Sequence, residues 1–255
     1  MKSISIEFLK IKRSNILSII ILTAIIIWVP PYFNAAESFE HIKLSNLTIS
    51  PEDYFFLQGM MAVTWMLFPA SLIVTTLMTS NIETTNKGIL KMRTLPINIM
   101  KMNFNKLMVV ITICIVQTLL LILIYYVVAY FVSNQQNYNF FADFKLVISS
   151  SILMILSSLP MLCFFWMINS VIKSKVVALG INVLSLVPSV IMINLDIWYL
   201  YPICYPYYLM AKQYEVLSNN FSIPEFKLMP WIIVAVTFTV LCILVSNYSL
   251  KNRKD

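Results

Sequence analysis

Residues 107–132 read LMVVITICIVQTLLLILIYYVVAYFV, without one Asp, Glu, Lys, Arg or His. A helix needs about 20 predominantly apolar residues to cross the hydrocarbon core of a bilayer. Each charge at its centre would cost about 2.5–3.5 kcal/mol on insertion scales. This stretch therefore reads as a membrane span. Working outward, the same test selects residues 15–32 and 59–79 before it, and 146–168, 176–195 and 231–248 after it. The runs are continuous rather than alternating, which excludes an outer-membrane barrel. The expected fold is an all-α integral membrane protein with six transmembrane helices in a single domain, 1–255.

Composition agrees. The chain is 60% hydrophobic and 11% charged, less than half of the roughly 25% charged residues a soluble domain uses to cover its surface. The net charge of +7 does not imply nucleic acid, because the basic residues flank apolar runs and no nucleic-acid motif is present.

Lys and Arg set the orientation through their bias toward cytoplasmic loops. The N-terminal segment, the loop 81–106, the link after the fourth span and the C-terminal tail together carry 14 of them, and the opposite side carries 4. Both termini are thus expected in the cytoplasm. The first residues place Ile4, Phe8 and Ile11 on one helical face and Ser3, Glu7 and Lys10 opposite, the pattern of a short interfacial helix. The basic start and first apolar run lack a small-residue cleavage site, so the run is expected to stay as an anchor.

Several chemistries are excluded on residues. Cys114, Cys163, Cys204 and Cys242 have no paired spacing, and His41 is the one histidine, so no metal set is expected. An intramembrane enzyme needs paired acids or a metal inside the bilayer, yet Asp143 and Asp196 fall at the outer edges of spans. An ion-coupled carrier needs intramembrane charges, and the spans hold none. Three glycines, Gly59, Gly88 and Gly180, cannot build a phosphate-binding loop. Any ATP hydrolysis must come from another chain, with no cofactor bound directly.

Two connections stand out. Between the second and third spans, Ser80-x-x-Glu83 has capping-box spacing, predicting a helix start as the second span ends. Pro96 suits the first turn of the next helix. Between them Ile89, Leu90, Met92 and Leu95 form an apolar corner that either enters the membrane interface or docks on another protein. On the other side, residues 196–230 carry Trp198, Tyr199, Tyr201, Tyr205, Tyr207, Tyr208, Tyr214 and Phe221, interrupted by Pro202 and Pro206. Aromatic rings favour the headgroup layer. This segment reads either as an aromatic belt or as a re-entrant or interfacial element. The preceding outer loop, 33–58, reads as polar and acidic.

Glu83, then Gly88-Ile89-Leu90-Lys91, Thr94-Leu95-Pro96-Ile97 and Lys106-Leu107 resemble the coupling segment of type-2 ABC exporter permeases, where a pattern close to E…GTLK-x-LLTLPI…GK follows the second span. Glu7, Lys10 and Arg13 resemble the E-x-x-K-x-x-R start of the same family. Ile89 and Arg93 depart from the pattern, standing where a small polar residue and a leucine are common. The resemblance implies that Glu83, Lys87, Gly88, Ile89, Leu90, Arg93, Leu95 and Pro96 contact an ABC ATPase subunit, which supplies ATP and Mg. It also implies a partner permease, either a second related chain or a second copy, in the plasma membrane of a bacterium. Within the family, the length, basic start and aromatic loop are most similar to the lantibiotic-protection permeases, which implies an amphipathic antimicrobial peptide as cargo. Export of another lipophilic substrate, or a structural or sensory membrane subunit, is the alternative.

Overall fold

The computed structural model describes residues 16–36, 39–40, 49–84, 99–218 and 222–252. The expected amphipathic start, His41, the segment 85–98 and the last residues 253–255 lie outside them. The described residues contain helices and no strand, and six helices are long and apolar enough to cross a membrane.

The first span is α1 (Ile16–Phe33), which runs through Pro30 and Pro31. Neither proline has an N–H to offer the preceding turn. The second span begins earlier than the expected residue 59. Helix α2 (Pro51–Ala62) opens with Ser50 as N-cap, its Oγ accepting from the Asp53 N–H at 3.3 Å. Pro51 follows at the first helical position, and Glu52 and Asp53 fill the first turn, where acids complement the helix dipole. The expected outer loop 33–58 therefore ends at residue 50, and Phe55, Phe56 and Leu57 are core residues. The signal was legible: Ser-Pro-Glu-Asp is a helix start.

Helix α2 continues through a π-turn, Val63–Leu67, into α3 (Phe68–Thr84). Pro69 explains the wide turn. It cannot donate to the carbonyl of Trp65, and its ring crowds that turn, so the backbone widens until Phe68 N–H reaches Val63 O. Thr64 Oγ1 donates to Met60 O at 2.8 Å and to Met61 O at 3.2 Å, which satisfies carbonyls beside the turn.

The third span is α4 (Ile99–Gln136), 38 residues or about 57 Å of helix, far longer than the roughly 30 Å hydrocarbon core. Both ends thus project beyond it. Asn137 ends the helix in the left-handed conformation with φ 50°, and Tyr138 N–H returns to Ser133 O at 3.4 Å, the bond that closes a Schellman motif. The turn is locked by Tyr125, whose hydroxyl donates to Phe140 O at 3.1 Å and accepts from Ala142 N–H at 2.8 Å. Around it, Trp28, Phe55, Phe56 and Phe140 form the aromatic core.

The fourth span, α5 (Phe144–Val171), is capped by Asp143 and lies at the centre of the bundle, in contact with α3, α4 and the later helices. Its buried Ser150, Ser151, Ser157, Ser158 and Ser170 let neighbouring backbones approach closely, the usual device where lipid removes a hydrophobic drive between helices.

The expected fifth span, 176–195, is two helices. Helix α6 (Lys175–Leu184) stops at Ser185, and α7 (Val187–Met192) follows. Pro188 cannot donate to Leu184 O, so the ladder breaks there. Two 3₁₀ turns, Trp198–Leu200 and Pro202–Cys204, lead to α8 (Tyr205–Ser218), which packs on α5 and α2. Pro202 opens a turn and Pro206 lies in the first turn of α8; both start elements rather than interrupt one. The sixth span, α9 (Leu228–Asn252), lies along α5, with Phe238 stacked on Phe164 at 6.1 Å.

Candidate functional site

Of the residues expected to meet an ATPase, Lys87, Gly88, Ile89, Leu90, Arg93, Leu95 and Pro96 lie outside the described residues. Glu83 falls in the last turn of α3, which runs on to Thr84. Ser80 is accordingly inside a helix and is no N-cap, so the capping box expected at Ser80-x-x-Glu83 does not form. The spacing misled because the apolar run ends before the helix does.

Ser80 instead begins a chain of hydrogen bonds across the bundle. Its Oγ accepts from Lys175 Nζ at 3.0 Å and donates to Asn169 O at 3.4 Å. The Asn169 amide donates to Thr76 Oγ1 at 3.0 Å, and its Oδ1 accepts from Asn182 Nδ2 at 3.1 Å. Ser185 Oγ donates to Asn182 O at 2.6 Å. The Tyr201 hydroxyl donates to the Ser185 carbonyl. The links join α3, α5 and α6, pass the break in the fifth span and end in the aromatic segment beyond it. Asn169 and Asn182 are fully buried, and Asn182 Oδ1 has no hydrogen-bond partner among the described residues. Such an atom is costly away from water.

A second network lies beside it. Asn103 of α4 accepts from Trp166 Nε1 at 2.9 Å and donates to Ser246 Oγ at 3.0 Å and Asn247 Oδ1 at 2.6 Å. Ser246 Oγ donates to Ser170 Oγ at 2.9 Å. This network ties α4, α5 and α9 together. Nearer the middle of the spans, Gln117 donates to Ser71 Oγ. Apart from the Lys175 ammonium at the start of α6, none of these groups is charged.

At the opposite end, the aromatic segment, read from the sequence as a belt or as a re-entrant or interfacial element, is folded against the bundle. Trp198 and Tyr205 are fully buried. The Trp198 indole stacks on Tyr208 with centroids 3.6 Å apart and planes 14° off parallel, and Nε1 donates to Glu225 O at 3.3 Å. Tyr205 donates to Tyr199 O, and Tyr208 to Pro224 O at 2.6 Å. Tyr207 and Tyr201 are half-buried. Burial pushes the Cys204 thiol up to about 12, and raises the Tyr205 and Tyr208 phenols. The helix α8 is held to the bundle by Ser150 Oγ donating to Gln213 Oε1 at 2.7 Å and by Tyr214 edge-on to Tyr54. Within α8, Lys212 and Glu215 form an ion pair. Across the same end, Tyr138 donates to the Glu52 carboxylate at 2.6 Å, which with burial pushes its phenol up to about 12. Trp198, Tyr205 and Tyr208 of this segment thus build a folded cap. Its open apolar positions include Ile197, Leu200 and Val216, which aromatic content does not reveal.

Among the described residues there is no cluster of His, Cys, Asp and Glu able to hold a metal ion. What the arrangement does offer is a set of polar ties between helices, uncharged except for Lys175 on Ser80, with one of the tied spans broken midway. Comparison with known proteins adds the family. Residues 3–189 match the family described as ABC-2 family transporter protein, a stretch that includes α1 to α6. No curated protein and no solved structure matches the chain. Six apolar helices and this match over most of the sequence lead to one conclusion: the chain belongs to the ABC-2 family of transporter proteins, as a multi-pass membrane permease whose family works with an ABC ATPase.

Proposed function

We propose that the chain is the membrane-spanning half of an ATP-driven exporter that removes amphipathic antimicrobial peptides, of the lantibiotic kind, from the plasma membrane of the bacterium that carries it. The carrying observation is a bundle interior tied by uncharged groups such as Asn169, Asn182 and Gln117, in a chain of the ABC-2 family. The buried Lys106 lies near the start of α4, and spans without a charge along their middle favour cargo drawn from the bilayer over ions or strongly hydrophilic solutes.

ATP and Mg are bound by the partner ATPase, whose contact on this chain is the segment around Glu83–Pro96, facing the cytoplasm with both termini. The second permease is a related chain or a second copy. On the far side, the cap presents Ile197, Leu200 and Val216, exposed by 46%, 52% and 68%. These suit the apolar face of a peptide lying at the interface.

The test is a host expressing this chain with its ATPase and any partner permease, challenged with lantibiotics and with unrelated lipophilic drugs. Raised tolerance and reduced peptide retention are expected for at least one peptide. Unchanged tolerance and retention for every peptide, with tolerance to a drug, would shift the reading to export of another lipophilic substrate. Replacing Ile197, Leu200 and Val216 together with serine should reduce peptide tolerance while ATPase assembly persists. Trp198→Ala is the wrong probe, because that ring holds the cap together.

A further inference from the structure

Between α1 and α4 lies an open cleft of about 300 Å³. Its walls are Ile25, Trp28 and Val29 on one side and Ile124, Val128 and Phe131 on the other, with Tyr32 at one end. The cleft exists because of where Trp28 goes. Its ring turns inward, 1% exposed, against Phe55 and Tyr125, and Nε1 donates to Leu121 O at 3.0 Å. That leaves the outer part of the seam to short β-branched side chains, which do not fill it. The cleft opens on the membrane-facing surface of the bundle: Ile25 is 51% and Phe131 53% exposed. One end is closed by Gln135 Nε2 donating to the Tyr32 hydroxyl at 2.6 Å, beyond which α4 ends and the chain turns at Asn137.

We propose that this cleft between α1 and α4 seats one acyl chain of a bilayer phospholipid, with the Tyr32–Gln135 pair at the headgroup level. Three observations select that occupant. The walls are hydrocarbon and ring, so a charged or polar ligand would forfeit its hydration there. From Ile25 to Phe33 the wall runs about 12 Å at 1.5 Å per residue. A volume of about 300 Å³ over that length leaves a section near 25 Å², which fits an extended hydrocarbon chain and is far too narrow for a helix about 10 Å across. A second copy of the chain could cover the cleft but not enter it. Last, the cleft is continuous with the lipid-facing surface formed by Leu22, Ile26 and Val29 of α1, so acyl chains reach it sideways without crossing polar surface. The pair at its end offers uncharged hydrogen-bonding groups, which suit a glycerol ester more than a carboxylate.

The experiment uses the full chain in nanodiscs containing a trace of phosphatidylglycerol with a diazirine midway along one acyl chain. After irradiation, adducts are mapped by mass spectrometry. Adducts on 25–33 and 124–131 should exceed those on the exposed face of α9, at Ile233 and Val240, by at least fivefold. Val128→Trp and, independently, Ile25→Phe should fill the cleft and return labelling to the α9 level with the unfolding temperature held within a few degrees. A second arm uses a free fatty acid bearing the same diazirine. Equal labelling of cleft and α9 overturns the proposal. So does labelling by the free acid alone, or a protein–protein adduct at Val29 in place of a lipid adduct. Should one variant fail to fold, the other and the wild-type ratio still decide.

Discussion

Trp28 packs against the bare backbone of Gly59: a Cβ added at Gly59 would overlap Cζ3 and stand 2.7 Å from Cη2 of the Trp28 indole. The ring is fully buried and held from its other side by its hydrogen bond to Leu121, so it cannot swing away. Gly59 is therefore a contact glycine, placed to let a large ring approach the backbone of α2.

Gly59→Ala is expected to destabilise the bundle despite the better helix propensity of alanine. Overpacking costs about 1–3 kcal/mol, against a gain of about 1 kcal/mol from removing a helical glycine. Thermal unfolding in detergent should show a fall for Gly59→Ala and a larger one for Gly59→Leu. In the same assay Gly180→Ala should be neutral or stabilising, since nothing lies within 4 Å of the added carbon.

The Asn169–Asn182 pair is expected to behave as a unit. Asn169→Leu would leave the amide of Asn182 buried with its donor unmet as well as its oxygen, a loss of about 1–3 kcal/mol. Asn169→Leu/Asn182→Leu removes both partners and should recover part of that loss. A double-mutant cycle on unfolding free energies checks this; additive effects would show that the bond carries no coupling. Tyr201→Phe, which strips the hydroxyl from the Ser185 carbonyl, should cost about 0.6 kcal/mol, the average for such ties in membranes.

The orientation rests on the bias of 14 basic residues against 4. Cysteines placed singly at Asn86 and Asn219 should answer it with an impermeant thiol reagent in intact cells: labelling is expected at 219 and not at 86. The reverse pattern would overturn the topology. The native Cys204 should not interfere. It is fully buried, and its thiol is pushed up to about 12. A raised pKa keeps the thiol protonated as pH rises, and the thiol is far less reactive than the thiolate. Cys204 should react only after unfolding.

Energy input is expected through Leu90. A buried interface anchor can be worth 2 kcal/mol or more, and a charge in its place cannot enter an apolar groove. Leu90→Asp should abolish copurification with the ATPase while membrane insertion is unchanged. Normal association and export would remove the assignment of the segment around Glu83–Pro96.

The six spans were legible because a bilayer imposes a simple rule: about 20 residues, apolar, without charge. Their ends were less so. The second span reached back to Pro51 and on to Thr84, because a helix persists through polar residues once capped and packed, as Ser50 and Ser80 illustrate. The break after Leu184 was written in Pro188 but hidden by unbroken hydrophobicity. The role of the aromatic segment was not legible at all. Trp198 and Tyr208 are ten residues apart in a stretch rich in rings, and composition alone suits a belt as well as a core. By itself the sequence determined that this chain lives in a membrane, crosses it six times and carries no charge within its six apolar runs, since those properties depend only on local hydrophobicity and charge. Tertiary structure decided that the aromatic residues close into a cap, that Asn169 meets Asn182 and that Trp28 needs Gly59, because each depends on which faces of distant helices are brought within contact distance.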